Sequence, residues 1–590
     1  MIVFTKQEKR VSPAGYFSQM EYLLERLDAS PRHEYCVELL MEWGELESGI
    51  SDRLFAESDC IEQIAVSSRE IATLIGRALY LSWEGLFKKL RALLPDIGKK
   101  IRKFSSLPLP RKIRTRVPEG YIYYGLYPEM YIEAARAFFK EIRPERAVSI
   151  GLRSIGTSLS AAVSGTLTEL GVKVESFTLR PRGHPFRRKM LIAPDLEEKF
   201  KSLTNHYFLI IDEGPGISGS SFGSTARALS EMGIPDAKII FFPSHIPEGK
   251  SLVTPEAREN WQRYRKYLVS FEDEGLSGKV LGQLFYITGG AGRQWLDISA
   301  GNWRSLFYEK ESEYPALHPN HEQRKYLCLE EPLNGKKIRG PAYLMKFAGL
   351  GKYGRAKYER GMALSGEGLY PRLHGTGNGF LMRDFVEGRP VAQGDISRDL
   401  IDYVARYIAT TGKMFQAAEK IPFDPNMKMI SENVLETIGK EWSANIGKLE
   451  KLRPVITGGA VSAIDGRMMR HEWLVTPGGF LKTDSVAHHI DQFYPRNQDP
   501  AWDVAAVTVE FPLKGEEREY LLARYAELAG DPHIGKKLSF YRIAYLAYRL
   551  GYTELASLEL GSHPDGLRLK SLSDYYAFLL KMELSRLANL

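Results

Sequence analysis

The sequence has few cysteines and no long apolar run, and each shortage removes a class of protein. No stretch approaches the roughly 20 consecutive apolar residues that a membrane helix needs. The three cysteines, Cys36, Cys60 and Cys328, lie far apart without metal-type spacing. They argue against a disulfide framework or a cysteine-based zinc site, and for a reducing, cytoplasmic setting. The opening residues, MIVFTKQEKR, offer neither a long apolar run nor a small-residue cleavage site, so no signal peptide is expected. No internal repeat and no low-complexity tract is found. Formal net charge is only +7 over 590 residues, too mild by itself to imply nucleic acid.

What remains is ordinary globular protein, with 44% hydrophobic and 26% charged residues. A single core stops growing at roughly 250–300 residues, so two or three domains are expected. One basic run, Lys99, Lys100, Arg102 and Lys103 followed by Arg111, Lys112, Arg114 and Arg116, brackets SSLPLP. It reads as a solvated linker over residues 99–117. One aromatic, Phe104, falls in this run, far from the interleaved set that a base-stacking platform requires, so neither a nucleic-acid partner nor a membrane is expected.

Residues 1–98 carry apolar positions at helical spacing, as in YFSQMEYLLERL and HEYCVELLMEWGEL, and read as a helical packing or oligomerisation region. Residues 118–300 alternate strands and helices. The helix YPEMYIEAARAFFKEI precedes strand RAVSIGL, then come strand VKVESFTLR, strand HYFLIID and strand AKIIFFP, which predicts a mostly parallel sheet. From about residue 315 the strands KYLCLE, AYLMKF and GFLMRDFV lead into long helical stretches that run to residue 590.

The segment LIIDEGPGISGSSFGST carries the clearest chemistry. A buried strand ends in two carboxylates, and a Gly/Ser/Pro loop then opens a helix. Ligands of open α/β sheets bind just beyond the carboxyl ends of strands. Glycines let backbone amides curl inward, and a helix N-terminus adds partial positive charge, which suits a phosphate. The segment resembles the phosphoribosyl diphosphate (PRPP) loop of type I phosphoribosyltransferases. The resemblance implies that Asp212 and Glu213 hold ribose hydroxyls, with Asp212 also toward Mg²⁺. Gly216, Ser218, Gly219, Ser220 and Ser221 would form the phosphate turn, although the spacing from acids to turn is one residue longer than the family's. Upstream, SIGLRSIGTSLSAA takes the place of the pyrophosphate loop, with Arg153 and Ser154 against the diphosphate. RPRGHPFRRK, with Arg187 and Arg188, takes the place of a basic hood that closes over the site. The implied reaction transfers ribosyl phosphate from PRPP to an acceptor, or the reverse, and many relatives are dimers.

The C-terminal half resembles the aminoglycoside phosphotransferase and choline kinase group, which has a protein-kinase-like α+β fold. Lys346 in AYLMKF stands for the strand lysine that meets nucleotide phosphates, and Glu359 for its helix partner. Asp465 in AIDGRMMRHEW stands for the catalytic Asp, Asp484 in GGFLKTD for the Mg²⁺ ligand, and Asp503 for the brace of the catalytic loop. Three positions depart from the group. Arg470 replaces the Asn that would be a second metal ligand, Ala463 replaces a histidine, and only Gly335 and Gly340 mark the nucleotide loop. His471 is a candidate substitute ligand, and the trio His488, His489 and Asp491 lacks further ligands at convincing spacing. The fold class is therefore α/β: a phosphoribosyltransferase-like domain plus a kinase-like domain behind a helical N-terminal region. Two functions stay open, a bifunctional enzyme using PRPP, Mg²⁺ and ATP, or a regulatory or conflict-system protein with a catalytically degenerate kinase-like scaffold.

Overall fold

The computed structural model describes residues 1–3, 8–216, 218–247, 252, 254–282, 284, 294–330 and 342–588. Four helices come first: α1 Pro13–Ala29, α2 His33–Leu54, α3 Gln63–Trp83 and α4 Phe87–Ser105. The run IATLIGRALYLSWEGLFKKLRALL reads as one helix but is split between α3 and α4, because Gly85 turns the chain with φ +70°. The basic stretch is not a tether. Residues 99–105 are the last turns of α4, and Ile113–Arg116 is a strand (β2) paired antiparallel with β1 (Glu8–Val11). Three of its charges meet partners, with Lys100 3.0 Å from Glu70, and Arg114 and Arg116 3.3 and 3.1 Å from Glu8.

Helix α5 (Pro128–Ile142) leads into β3 (Arg146–Leu152), α6 (Ile155–Glu169) and β4 (Lys173–Leu179). A small hairpin follows, β5 (Pro181–Arg182) with β6 (Lys189–Met190), then α7 (Pro194–Lys201), β7 (Tyr207–Ile211), α8 (Ser220–Glu231), β8 (Ile239–Phe242), α9 (Pro255–Arg263) and β9 (Arg265–Lys266). The five strands form a parallel sheet in the order β4-β3-β7-β8-β9. The chain steps outward from β3 to β4 and then returns past β3 to lay down β7. The direction of winding therefore reverses between β3 and β7, and their C-terminal ends open a crevice there.

A second sheet is antiparallel, in the order β10-β11-β12-β14-β13: β10 Gln294–Asp297, β11 Lys325–Leu329, β12 Ala342–Phe347, β13 Leu373–Gly377 and β14 Phe380–Asp384. Helix α10 (Gly351–Gly366) packs between β12 and β13 in sequence. Below lie α11 (Arg398–Met414), the sheet of β15 (Arg389–Pro390), β16 (Trp473–Thr476) and β17 (Gly479–Lys482), and helices α12 (Ala501–Glu510), α13 (Ile534–Leu560) and α14 (Pro564–Ala588). Among the described residues no helix is long and apolar enough to cross a membrane.

One apolar core joins parts that the sequence divides. Trp43 of α2, Ile132 of α5, Ile211 and Phe242 of the parallel sheet, and Phe347 and Phe380 of the antiparallel sheet belong to the same buried cluster. A second cluster holds the lower helices, around Trp473, Trp502 and Tyr545.

Helices α3 and α6 cross backbone to backbone. A Cβ on Gly76 would lie 1.8 Å from the Ala161 carbonyl oxygen, and one on Gly165 would lie 2.1 Å from Gly76 C. Backbone cannot yield there as a side chain would, so overpacking is severe. Gly76→Ala should cost about 3 kcal/mol or more in chemical unfolding, at the upper end for overpacked cores. Gly15→Ala, which meets nothing within 4 Å on α1, should be neutral or add up to about 1 kcal/mol. Equal stability of the two variants would contradict this crossing.

Candidate functional site

At the first crevice the chain leaves β7 through Asp212 and Glu213 and curls through Gly216 and Gly219, both left-handed at φ +57° and +56°, into the first turn of α8. The turn brings its hydroxyls together, with Ser218 and Ser220 Oγ 3.0 Å apart and Ser221 the next residue of α8. Asp212 is held at its backbone, where its carbonyl accepts from Tyr131 Oη at 2.7 Å, and its Oδ1 accepts from Glu213 N at 2.9 Å. Burial pushes Asp212 up to about 7. Burial, with repulsion from Glu119 and Asp212, pushes Glu213 up to about 8. The two acids and the three serines thus stand on one loop at the point where the sheet reverses.

Arg153 is not available to a diphosphate. It is buried in an ion pair with Asp59 and lies 3.1 Å from Asp52. An arginine that closes two carboxylates stays with them, since an unpaired buried charge costs several kcal/mol. Its neighbour Ser154 has a strained backbone at φ +142° and ψ −113°, and its carbonyl accepts from Ser48 Oγ at 3.2 Å.

The predicted hood is the β5–β6 hairpin. Its Pro185 carbonyl accepts from Ser220 Oγ, so hairpin and phosphate turn touch. Arg180 pairs with Asp52, Arg182 with Asp59 at 3.0 Å, and Arg187 is exposed. Arg188 donates to the Gly183 carbonyl at 2.9 Å, and burial together with Arg180 and Arg116 lowers its pKa.

The second crevice lies between the antiparallel sheet and the lower sheet. It is lined above by Leu344 and Lys346, just past β14 by Phe385, and below by Leu474 and Asp484. Lys346 Nζ lies 2.5 Å from Asp484 Oδ1. Burial alone would raise Asp484, but Lys346 and His488 outweigh it and hold it well below the ordinary carboxylate range. Glu359 does not pair with Lys346. It is exposed on α10, and Lys357, two residues earlier and so on the opposite face, points inward instead.

Asp465 is sealed. Its carboxylate accepts from Tyr407 Oη at 2.7 Å, meets His488 Nδ1 at 2.6 Å and lies 3.1 Å from Lys482 Nζ, with no exposure. Burial would raise its pKa, but Lys482 and His488 outweigh burial and lower it well below the usual range. Asp503 accepts from the amides of Asp465 and Gly466 at 2.9 and 2.8 Å, a fixed brace for this loop. Lys482 also lies 2.8 Å from Glu472 and donates to the Asp484 carbonyl. His471 stacks on Trp303 at 5.8 Å, while His488 and Asp491 are engaged by Asp465 and Arg467. Gly335 and Gly340 fall outside the described residues.

No protein-family model matches the chain, and no curated protein does. Among solved structures, a choline kinase from Streptococcus pneumoniae is 17% identical with a TM-score of 0.32, over 45% of this chain and 90% of that one. An ethanolamine kinase from Plasmodium vivax is 10% identical with a TM-score of 0.33, over 56% and 96%. A macrolide 2'-phosphotransferase from Brachybacterium faecium is 13% identical with a TM-score of 0.30, over 43% and 88%.

Lys357 and Lys482 were both missed in the sequence, because a buried lysine has no signature apart from the helix phase or hairpin that turns it inward. Lys357 is fully buried, its Nζ has no hydrogen-bond partner among the described residues, and burial pushes it down to about 7. The unfolded chain keeps the ordinary lysine value, near 10.4. Between these values the unfolded state binds more protons, so this group makes stability rise with pH from about 7 to 10. The cost of burying the charge is fully present below about pH 7. Lys357→Met should therefore stabilise the protein by on the order of a few kcal/mol at pH 6, with the gain shrinking toward pH 10 in paired denaturant melts. A gain that grew with pH would contradict the assignment.

Proposed function

We propose that the crevice at Asp212–Ser221 binds a phosphorylated ribose of the PRPP type for glycosyl transfer, and that the second crevice binds a nucleotide without passing on its phosphate. The observation that carries the first half is the paired acids, the two left-handed glycines and the serine turn at one reversal point of a parallel sheet. The donor set also fits a hard divalent cation, since it offers carboxylate oxygens whose ionisation burial disfavours until a positive charge arrives. Mg²⁺ bound there would neutralise charge on a departing diphosphate.

The chain's own part follows. Asp212 and Glu213 accept hydrogen bonds from ribose hydroxyls. Ser218, Ser220, Ser221 and the first amides of α8 hold the phosphate. The hairpin carrying Arg187 and Arg188 lies over the turn and excludes water, which strengthens every charge interaction beneath it. Ser154, rather than Arg153, faces the diphosphate end.

The second half rests on Asp465. A catalytic aspartate must reach an acceptor hydroxyl, and this one is closed by Tyr407, His488 and Lys482. The residues fit one Mg²⁺ at Asp484 and do not fit a second, because Arg470 stands at that position. This favours the regulatory reading over the bifunctional one.

Ligand at about 100 times its dissociation constant adds roughly 2.7 kcal/mol of stability. Melts of the full chain with Mg²⁺ and PRPP should show a shift that is lost in Asp212→Asn, accompanied by pyrophosphate release once an acceptor is supplied. ATP should give its own shift, lost in Lys346→Ala, with no phosphate transferred to a panel of small alcohols. Absence of a PRPP shift would refute the first half. Phosphate transfer that Asp465→Ala abolishes would refute the second.

A further inference from the structure

Strands β1 and β2 form a two-stranded ribbon of their own, and its register sorts the side chains onto two faces. One face carries Val11, Ile113 and Thr115 and packs on α2, where a Cβ on Gly49 would lie 2.9 Å from Ile113 Cδ1 and 3.2 Å from Thr115 Cγ2. The other face carries Glu8, Arg10, Arg114 and Arg116, since residues directly opposite or two apart share a side. Arg10 stands directly opposite Arg114. Like charges placed in this way destabilise a strand pair. Glu8 lies 3.3 Å from Arg114 and 3.1 Å from Arg116, so one carboxylate serves two arginines. Arg10 is exposed and has no ion pair among the described residues.

The positive charge continues beyond the ribbon. Lys112, just before β2, is exposed. Arg114 and Arg116 line a small cavity together with Arg180 and Ser154. Arg188 of the β5–β6 hairpin lies within electrostatic reach of Arg180 and Arg116. Besides Glu8, the acids at the edge of this surface are Asp52, which is taken up by Arg153 and Arg180, and Glu119, which faces Arg116.

We propose that the outward face of the β1–β2 ribbon, with Arg10, Lys112, Arg114 and Arg116, binds the phosphate backbone of a nucleic acid. The planar guanidinium fork matches phosphate oxygens two at a time. Alternate residues of a strand are about 6.6 Å apart, comparable to the step between neighbouring phosphates of an extended strand, so Arg114 and Arg116 meet successive phosphates. The face carries no aromatic side chain, so it holds the backbone without stacking bases or reading their order. A phosphate between Arg10 and Arg114 relieves their repulsion, which gives a use to an arrangement that is unfavourable in the free protein. A membrane surface fits less well, because the apolar side of the ribbon is turned into the protein, with Ile113 1% exposed, and cannot enter lipid.

The test is fluorescence anisotropy of the full chain with end-labelled single-stranded RNA, single-stranded DNA and duplex DNA. Binding to any of the three supports the proposal, and the tightest identifies the natural partner. Three phosphate contacts on a single strand should weaken binding roughly twentyfold between 50 and 200 mM salt. Arg10→Gln should weaken binding several-fold while leaving the melting temperature unchanged or higher, because it removes the opposed charge. Replacing Arg10, Arg114 and Arg116 together by Gln should abolish most of the salt dependence along with the affinity. Lys536→Gln and Lys581→Gln, exposed on α13 and α14, should bind as wild type does. No binding by wild type, binding insensitive to salt, wild-type affinity in the triple variant, or capture by phosphatidylserine vesicles without nucleic-acid binding would each overturn the proposal. None of these readouts depends on PRPP or ATP binding.

Discussion

Helix α2 is buried along most of its length and still carries four buried glutamates, and the arrangement of its neighbours follows from that charge. Glu38 lies 2.5 Å from Arg355, Glu42 and Glu45 lie 3.0 and 2.9 Å from Lys352, and Glu47 lies 3.0 Å from Arg69. Removing Arg69, itself buried, would leave Glu47 uncompensated at a cost of about 3–5 kcal/mol, whereas solvent screens the partly exposed Lys352 and Arg355. Arg355 and Lys352 belong to α10, so the helix beside the antiparallel sheet is fixed to the N-terminal layer. One turn beyond Glu47, Asp52 draws Arg153 and Arg180 away from the first crevice. The helix with no chemistry of its own thus decides which cations remain for ligands.

Much of the scaffold was legible. RAVSIGL is β3 and AYLMKF is β12, because apolar runs this short are too brief for a buried helix and suit a buried strand. The loop at 212–221 was legible as a turn from strand into helix, since Gly216 and Gly219 supply its left-handed backbone. Partner choice was not. Arg153 was expected at a diphosphate, but its partners are Asp52 and Asp59, which the sequence separates from it by about a hundred residues. The phase of α10 was lost in the same way. The helix runs from Gly351 to Gly366, and residues two apart face opposite sides, so Lys357 and not Glu359 turns inward.

The second crevice shows how position and role can separate. The order of parts put Asp465, Asp484 and Asp503 near one another, and Asp503 does brace the loop of Asp465. What order could not convey is the ammonium of Lys482, which a two-strand hairpin delivers into the carboxylates. Trp473 and Tyr407 enclose it, with ring centroids 5.6 and 5.8 Å from Nζ. A charge balanced from within needs no visiting cation and offers no free oxygen to a substrate.

The common core that runs from Trp43 through Ile211 to Phe380 bears on how such a chain could have arisen. Units that each close their own interior can be shuffled, duplicated or lost one at a time. Here the interior is closed only when helices, parallel sheet and antiparallel sheet are all present, and a break between them would put large apolar side chains into water at about 25 cal/mol for every Å². The three parts would have to be inherited as one piece, so substitutions in α2 would be selected against the needs of both crevices at once.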